Sequence, residues 1–153
     1  RTLGGGQEKA LRPGTEAMPL IGAFGAACDA LPPLDQTREK VAALNARVRA
    51  GLSRLPGVAV NSPDDALPYV LNFSAGRVRA QTMLNFLSER GVYVSSGSAC
   101  AKGARSHVLE ALELAPERID SALRVSFSRF NTEADCDALL EGLAVGLRTL
   151  ATS

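Results

Sequence analysis

Residues 122–127 read Ala-Leu-Arg-Val-Ser-Phe, and from Leu123 onward apolar and polar side chains alternate. Successive side chains of a β-strand point to opposite faces of the sheet, so this period of two places Leu123, Val125 and Phe127 on one face. Arg124 lies between them on the other face. The segment therefore predicts a strand with one face in the core and with Arg124 directed away from that core.

The rest of the chain supplies partners for this strand. Short apolar runs at 58–60, 69–73 and 92–94 predict three more strands, the first two joined as a hairpin. Apolar residues at helical spacing predict helices near 36–54, 79–89 and 133–150, the last preceded by a capping arrangement at Asn131, Thr132 and Asp135. We therefore predict an α+β fold: a small, mainly antiparallel sheet of three to four strands covered by helices.

A further helix is expected near residues 15–30, and a domain boundary follows it. Pro32 and Pro33 end this helix, which divides the chain into segments 1–34 and 35–153. Thr15 is suitably placed to cap the helix.

The apolar stretch in this helix is shorter than the ~20 residues that a membrane span requires, and glycines and Asp29 interrupt it. We expect the helix to be buried, either in a core or against another domain or subunit, and no membrane partner is predicted.

Composition excludes several classes of function. The 153 residues are 46% hydrophobic and 22% charged, which is typical of a globular domain, and the net charge of +1 gives no reason to expect nucleic acid as a partner. Cys28, Cys100 and Cys136 fit neither a paired disulfide framework nor a CxxC metal site, so we predict reduced thiols, no metal and a cytoplasmic location. The chain begins at Arg1 rather than at Met, which suggests a fragment.

The three cysteines differ in their expected surroundings. Cys28 and Cys136 lie within apolar helices, whereas Cys100 lies in SSGSACAKG, residues 95–103. Small residues favour a mobile, exposed loop, and both Lys102 and the helix start that follows favour the reactive thiolate. Local features leave two interpretations open: Cys100 is a mobile nucleophile, or it is an inert residue in a surface turn.

Three segments resemble the NifS/IscS-like cysteine desulfurases, class-V aminotransferases of pyridoxal-phosphate fold type I. SSGSAC followed by SHVLEAL resembles their active-site loop, LRVSFSRFNTEAD their arginine-bearing strand and last helix, and GGGQEKALRPGTEAMP the segment linking their two domains. The segments occur in the family's order and span residues 4 to about 150. The resemblance implies that 35–153 is the C-terminal small domain. It also implies that 1–34 is the tail of the large cofactor domain, with interdomain and dimer contacts.

The resemblance assigns a role to three residues. It implies that Cys100 attacks the sulfur of L-cysteine, leaving L-alanine and an enzyme persulfide, and that Arg124 binds the substrate carboxylate. Thr15, in RPGT at 12–15, would contact the pyridoxal 5'-phosphate of the partner subunit in a homodimer. A sulfur acceptor such as an iron-sulfur scaffold protein would receive the persulfide sulfur.

The resemblance also implies that an essential group lies upstream. Lys9, Lys40 and Lys102 match no cofactor-lysine motif, so we expect the isolated 153 residues to be inactive. His107 is the only histidine, and its place at a helix start favours an exposed residue over a catalytic base. The alternatives are another class-V aminotransferase, a selenocysteine lyase, or a non-catalytic sulfur-carrier or interaction domain.

Overall fold

The structure is a computed structural model that describes residues 3–96 and 105–150. The chain divides into two compact units, Arg1–Leu34 and Asp35–Ser153. Within the described residues, no helix has the length and apolarity needed to cross a membrane.

The first unit contains a short 3-10 turn at Glu8–Ala10 and one helix, α1, at Met18–Asp29. The helix begins after Ala17, which makes no side-chain cap, so the prediction that Thr15 caps it is wrong. No residue of α1 is buried, and Cys28 is exposed. Of the two alternatives predicted for this helix, burial in a core of this chain is therefore wrong. Burial against another domain or subunit stays a prediction.

The second unit is built on a four-stranded antiparallel sheet with the strand order β1-β2-β4-β3. Its strands are β1 (Ala59–Val60), β2 (Val70–Ser74), β3 (Ser95–Ser96) and β4 (Ala122–Ser126). The hairpin of β1 and β2 and the predicted α+β class are confirmed. The strand β4 lies between β2 and β3 and pairs with both.

In the part of the second unit that the structure describes, five helices accompany the sheet: α2 (Leu34–Leu52), α3 (Ala80–Ser88), α4 (His107–Ala111), α5 (Pro116–Asp120) and α6 (Glu133–Thr149). The capping box of α6 forms as predicted, since Thr132 accepts from the Asp135 N–H and the Asp135 carboxylate accepts from the Thr132 N–H. The short helix α5 was not predicted, and its five residues are too few to show a helical period.

The core lies between one face of the sheet and helices α2, α3 and α6. Leu71, Phe73 and Leu123 from the strands are fully buried, and they form one cluster with apolar residues of the three helices. Cys136 belongs to this cluster with 3% of its surface exposed, as predicted. Burial raises the pKa of its thiol above the ordinary value.

The predicted strand at 92–94 is wrong, because the chain first closes the end of α3 through Val92 and enters the sheet later. Gly91 takes φ 75°, which a glycine adopts without strain, and the Val92 N–H then bonds back to the Leu87 carbonyl. Strand pairing starts only at Ser95.

Gly146→Ala tests the close approach of α6 to α3. A Cβ at position 146 would lie 2.7 Å from Met83 Sδ and 3.2 Å from Phe86 Cδ1. Overpacking a core costs about 1 to 3 kcal/mol, and the better helix propensity of alanine offsets at most about 1 kcal/mol of this. We expect the free energy of unfolding to fall by about 1 kcal/mol in urea denaturation.

The matched control is Gly22→Ala, also inside a helix, where an added Cβ would meet nothing within 4 Å. This control is expected to unfold no earlier than the wild type. Equal or greater stability of Gly146→Ala would contradict the packing of α6 on α3.

Candidate active site

The face of the sheet that is turned away from the core carries Arg124 at its centre. In the register of β4, Arg124 lies opposite Asn72 on β2 and opposite Ser95 on β3. Directly opposed residues share a face, with Cβ atoms roughly 4.5–5.5 Å apart. The alternation in β4 is observed as predicted: Leu123 and Val125 are buried, and Arg124 is exposed. The three side chains thus form one polar row across the middle of the sheet.

The Arg124 guanidinium makes no hydrogen bond or ion pair with any residue that the structure describes. A guanidinium has five N–H donors in a rigid fork that matches a carboxylate, and it has no acceptor. A surface ion pair, the ordinary role of such an arginine, is therefore not made within the described residues. Arg124 remains available to an anionic ligand.

Beside this row lies a hydrogen-bonded network that the sequence did not reveal. Arg118 Nη2 donates to Asn61 Oδ1, and Asn61 Nδ2 donates to Asn72 Oδ1 over 2.7 Å and to Ser74 Oγ over 2.9 Å. The Ser74 hydroxyl donates to the Arg118 carbonyl over 2.7 Å. The only signal in the sequence is the period of two in β2, which places Asn72 and Ser74 on one face.

Cys100 and Lys102 lie in the segment 97–104, outside the described residues, so their predicted roles stay predictions. Both residues that flank this segment have partners in the structure. Ser96 pairs with Leu123, and Arg105 forms two hydrogen bonds of 2.7 and 2.8 Å with Asp120, the last residue of α5. Covalent geometry limits the Cα of Cys100 to at most about 14 Å from that of Ser96. The residue before the segment thus belongs to β3, and the residue after it pairs with α5.

The other candidate groups are not brought to this face. Cys136 is on the helix side of the sheet and its burial disfavours the thiolate. His107 is exposed at the start of α4, as predicted. Lys40 donates to the Arg129 carbonyl over 2.6 Å. Among the described residues, no group of three or more His, Cys, Asp or Glu side chains is placed to hold a metal ion.

In the first unit, Thr15 follows a turn that its own neighbours hold. Arg12 Nη1 donates to the Gly14 carbonyl over 2.9 Å, and the Gly14 N–H donates to Gln7 Oε1 over 3.2 Å. Thr15 is exposed, and its hydroxyl makes no hydrogen bond with a described residue. A hydroxyl on a fixed turn suits a contact with phosphate, and this chemistry is compatible with the predicted role.

The Arg105–Asp120 pair predicts a titration that can be measured. Hydrogen bonds from Arg105 are the main cause that holds the pKa of Asp120 below its ordinary value, with a smaller contribution from the charge of Arg79. Because the folded-state pKa is lowered, the pair stabilises the fold above the ordinary aspartate pKa. This contribution is lost as the pH falls through the lowered value.

We expect Arg105→Gln to raise the pKa of Asp120 towards its ordinary value in a carboxyl NMR titration. The control Arg79→Gln removes only the lesser contribution, and its shift is expected to be smaller. A larger shift in the control would contradict the pairing that fixes the C-terminal side of segment 97–104.

Comparison with known proteins gives a consistent result. Residues 5–139 match the family model described as aminotransferase class-V. The chain is 37% identical over 147 residues to "Cysteine desulfurase IscS" of Clostridium botulinum, covering 92% of this chain and 37% of the relative. It is 35% identical over 156 residues to "Cysteine desulfurase" of Gluconacetobacter diazotrophicus, covering 97% and 39%. The chain therefore spans little more than a third of these curated relatives.

Solved structures with the same fold bear similar names. The structure named "NIFS-LIKE PROTEIN" superposes with a TM-score of 0.80 at 32% identity, covering 96% of this chain and 38% of that chain. A NifS-like protein from Rickettsia africae gives a TM-score of 0.77 at 29% identity, covering 97% and 39%. The fold of the described residues is thus that of one part of a longer NifS-like chain.

Proposed function

The chain belongs to the aminotransferase class-V family, and on that premise we propose that it is the C-terminal part of a pyridoxal-phosphate-dependent cysteine desulfurase. The observation that carries this proposal is Arg124, which is unpaired among the described residues on the open face of the sheet. The strand β3, which leads into the segment with Cys100, pairs with β4 at this very residue. Arg124 therefore lies beside the strand that precedes the segment with Cys100, and this arrangement supports a reaction on L-cysteine. The names of the relatives quoted above favour the same activity.

Arg124 binds and orients the substrate in this proposal. Its planar fork takes both carboxylate oxygens of L-cysteine, and charge-assisted bonds of this kind are about twice as strong as neutral ones. Holding the carboxylate on the sheet directs the substrate sulfur towards the neighbouring segment. In this proposal Arg124 positions the substrate and takes no part in proton transfer.

Cys100 supplies the nucleophile. Its thiolate forms a bond to the substrate sulfur while the carbon–sulfur bond of the substrate breaks. The electron pair of the broken bond stays with the carbon, which takes up a proton to give L-alanine. The transferred sulfur remains on Cys100 as a persulfide. We infer that this persulfide passes to an acceptor in the cytoplasm, such as an iron-sulfur scaffold protein.

The cofactor supplies an electron sink for the bond that breaks. Of this chain's own residues, Thr15 would donate its free hydroxyl to the phosphate, from one subunit of a homodimer to the other. Lys40 is engaged with a backbone carbonyl, and Lys9 and Lys102 match no cofactor motif. The covalent lysine therefore belongs, in this proposal, to the part of the relatives that lies outside the matched third, and the isolated 153 residues do not turn over substrate.

Cys100→Ser in the full-length protein separates the thiol from the rest of the site. A hydroxyl is a far poorer nucleophile than a thiolate near neutral pH, so the variant is expected to bind L-cysteine and cofactor as the wild type does but to gain no sulfur. The measurement is labelled sulfur bound to the protein after incubation with labelled L-cysteine, with the cofactor absorbance as a check on loading.

Cys28→Ser is the matched control and is expected to keep the label at the wild-type level. Undiminished label in Cys100→Ser would exclude Cys100 as the acceptor. Transamination by the wild-type protein without any sulfur label would favour another class-V aminotransferase.

A further inference from the structure

We propose that Asn72 is a second donor to the ligand carboxylate beside Arg124, and that Arg118 and Asn61 fix its amide in the donating orientation. The inference rests on the proposed function in one respect, since it takes the ligand of Arg124 to be a carboxylate. It adds a specificity-determining residue on β2 and a relay of two residues that never touch the ligand.

The register of the sheet brings Asn72 close to Arg124. The Asn72 N–H bonds to Ser62 Oγ and its carbonyl accepts from the Asn61 N–H, each over 2.8 Å. Both backbone groups of Asn72 therefore point towards β1, and its pairing with Arg124 on β4 is of the type without backbone hydrogen bonds. In that type the two strands approach more closely, with Cα atoms about 4.5 Å apart, and the side chains lie nearer to each other. The Asn72 amide is thus the closest cross-strand neighbour of the Arg124 side chain on β2.

The orientation of the Asn61 and Asn72 amides follows from neighbouring groups that can act only as donors or only as acceptors. A guanidinium can only donate, so the Asn61 atom that faces Arg118 is its oxygen. Asn61 Nδ2 is then the atom that donates to Asn72 over 2.7 Å, and Asn72 must present Oδ1 to it.

The hydrogen bonds of Ser74 lead independently to the same assignment of the Asn61 nitrogen and oxygen. A backbone carbonyl can only accept, so the Ser74 hydroxyl proton is used on the Arg118 carbonyl. Ser74 Oγ must therefore accept from Asn61, which again makes the shared Asn61 atom Nδ2. Two separate constraints thus agree on one arrangement of the amides.

This arrangement leaves Asn72 Nδ2 directed away from Asn61, on the side of β2 where Arg124 lies. No described residue accepts a hydrogen bond from it. If the Asn72 amide were turned the other way, its oxygen would accept a hydrogen bond from Arg124, and the guanidinium would be less available to a ligand. With the relay in place, two donors lie side by side and cannot bond to each other, so together they suit an acceptor with two oxygens.

The test uses the full-length protein with its cofactor and compares two ligands by calorimetry. L-alanine carries the carboxylate, and ethylamine is the same molecule without it. Asn72→Ala removes a hydrogen bond to a charged group, so it is expected to weaken L-alanine binding by roughly tenfold to a hundredfold. Binding of ethylamine is expected to stay at the wild-type level.

Asn61→Asp tests the relay without altering either proposed donor. An aspartate still accepts from Arg118 but cannot donate, so Asn72 turns its amide and places its oxygen beside Arg124. We expect L-alanine binding to weaken by tenfold or more while ethylamine binding is unchanged. The matched control is Asn85→Ala, an exposed amide on α3 that accepts from Gln81 over 2.9 Å, and it is expected to change neither ligand.

The ratio of the two affinities decides the outcome, because a loss of fold alone weakens both ligands together. An Asn72→Ala protein that keeps the wild-type ratio overturns the inference. So does a wild-type protein that does not distinguish L-alanine from ethylamine. If the Asn72 effect is found but L-cysteine gives no sulfur label, the desulfurase proposal fails and the carboxylate site stands.

Discussion

The antiparallel register of β4 between β2 and β3 is the constraint on which the rest of this molecule depends. Because the side-chain period of a strand is two, a slip of one residue would move Leu123 and Val125 to solvent and turn Arg124 into the core. An isolated arginine in an apolar core is costly, because the charge loses its hydration and gains no ion pair or hydrogen bond in return. The register is therefore strongly specified by these three residues. The same register brings Asn72 and Ser95 to the two sides of Arg124.

Burial on one face of the sheet thus fixes the positions of the polar side chains on the other face. Helices α2, α3 and α6 cover the inner face and hold the strands in place. Part of the outer face has its own cover, since Ala122 is buried in a small apolar cluster with Leu109 of α4 and Ile119 of α5. A separate polar network ties β1 and β2 to Arg118 of α5. Cys100 is carried by a segment whose flanking residues are fixed by backbone pairing at Ser96 and by the ion pair of Arg105. Arg124 can remain without an internal partner because packing, and not its charge, positions it.

Local patterns predicted the parts of the fold that local forces determine. The alternation at 122–127 and the capping box at Thr132 were visible because each depends on residues close together in sequence. The strand expected at 92–94 failed because an apolar run of three residues does not reveal that the Val92 N–H returns to the end of α3. The apolar character of α1 did not show which surface covers it, because an apolar helix has the same pattern whether that surface belongs to its own chain or to another.

The candidate site was predictable only in part, because sequence patterns reveal features that depend on residues close together in the chain. The outward direction of Arg124 follows from the period of two in its strand. The relay links Arg118 of α5 to Asn72 of β2 through Asn61, which follows β1, and residues so far apart in the chain leave no periodic pattern. Asn61 and Arg118 lie 57 positions apart in the chain. The roles of Cys100, Arg124 and Thr15 come from resemblance to the desulfurases and remain predictions.

A crystal structure of the full-length protein with L-alanine bound is the most direct test of the central claim that Arg124 is kept free to hold a substrate carboxylate. The account predicts that two guanidinium nitrogens of Arg124 lie about 2.7–2.9 Å from the two carboxylate oxygens. It would be contradicted if Arg124 were paired with an acidic side chain of the protein while the carboxylate of L-alanine was bound elsewhere.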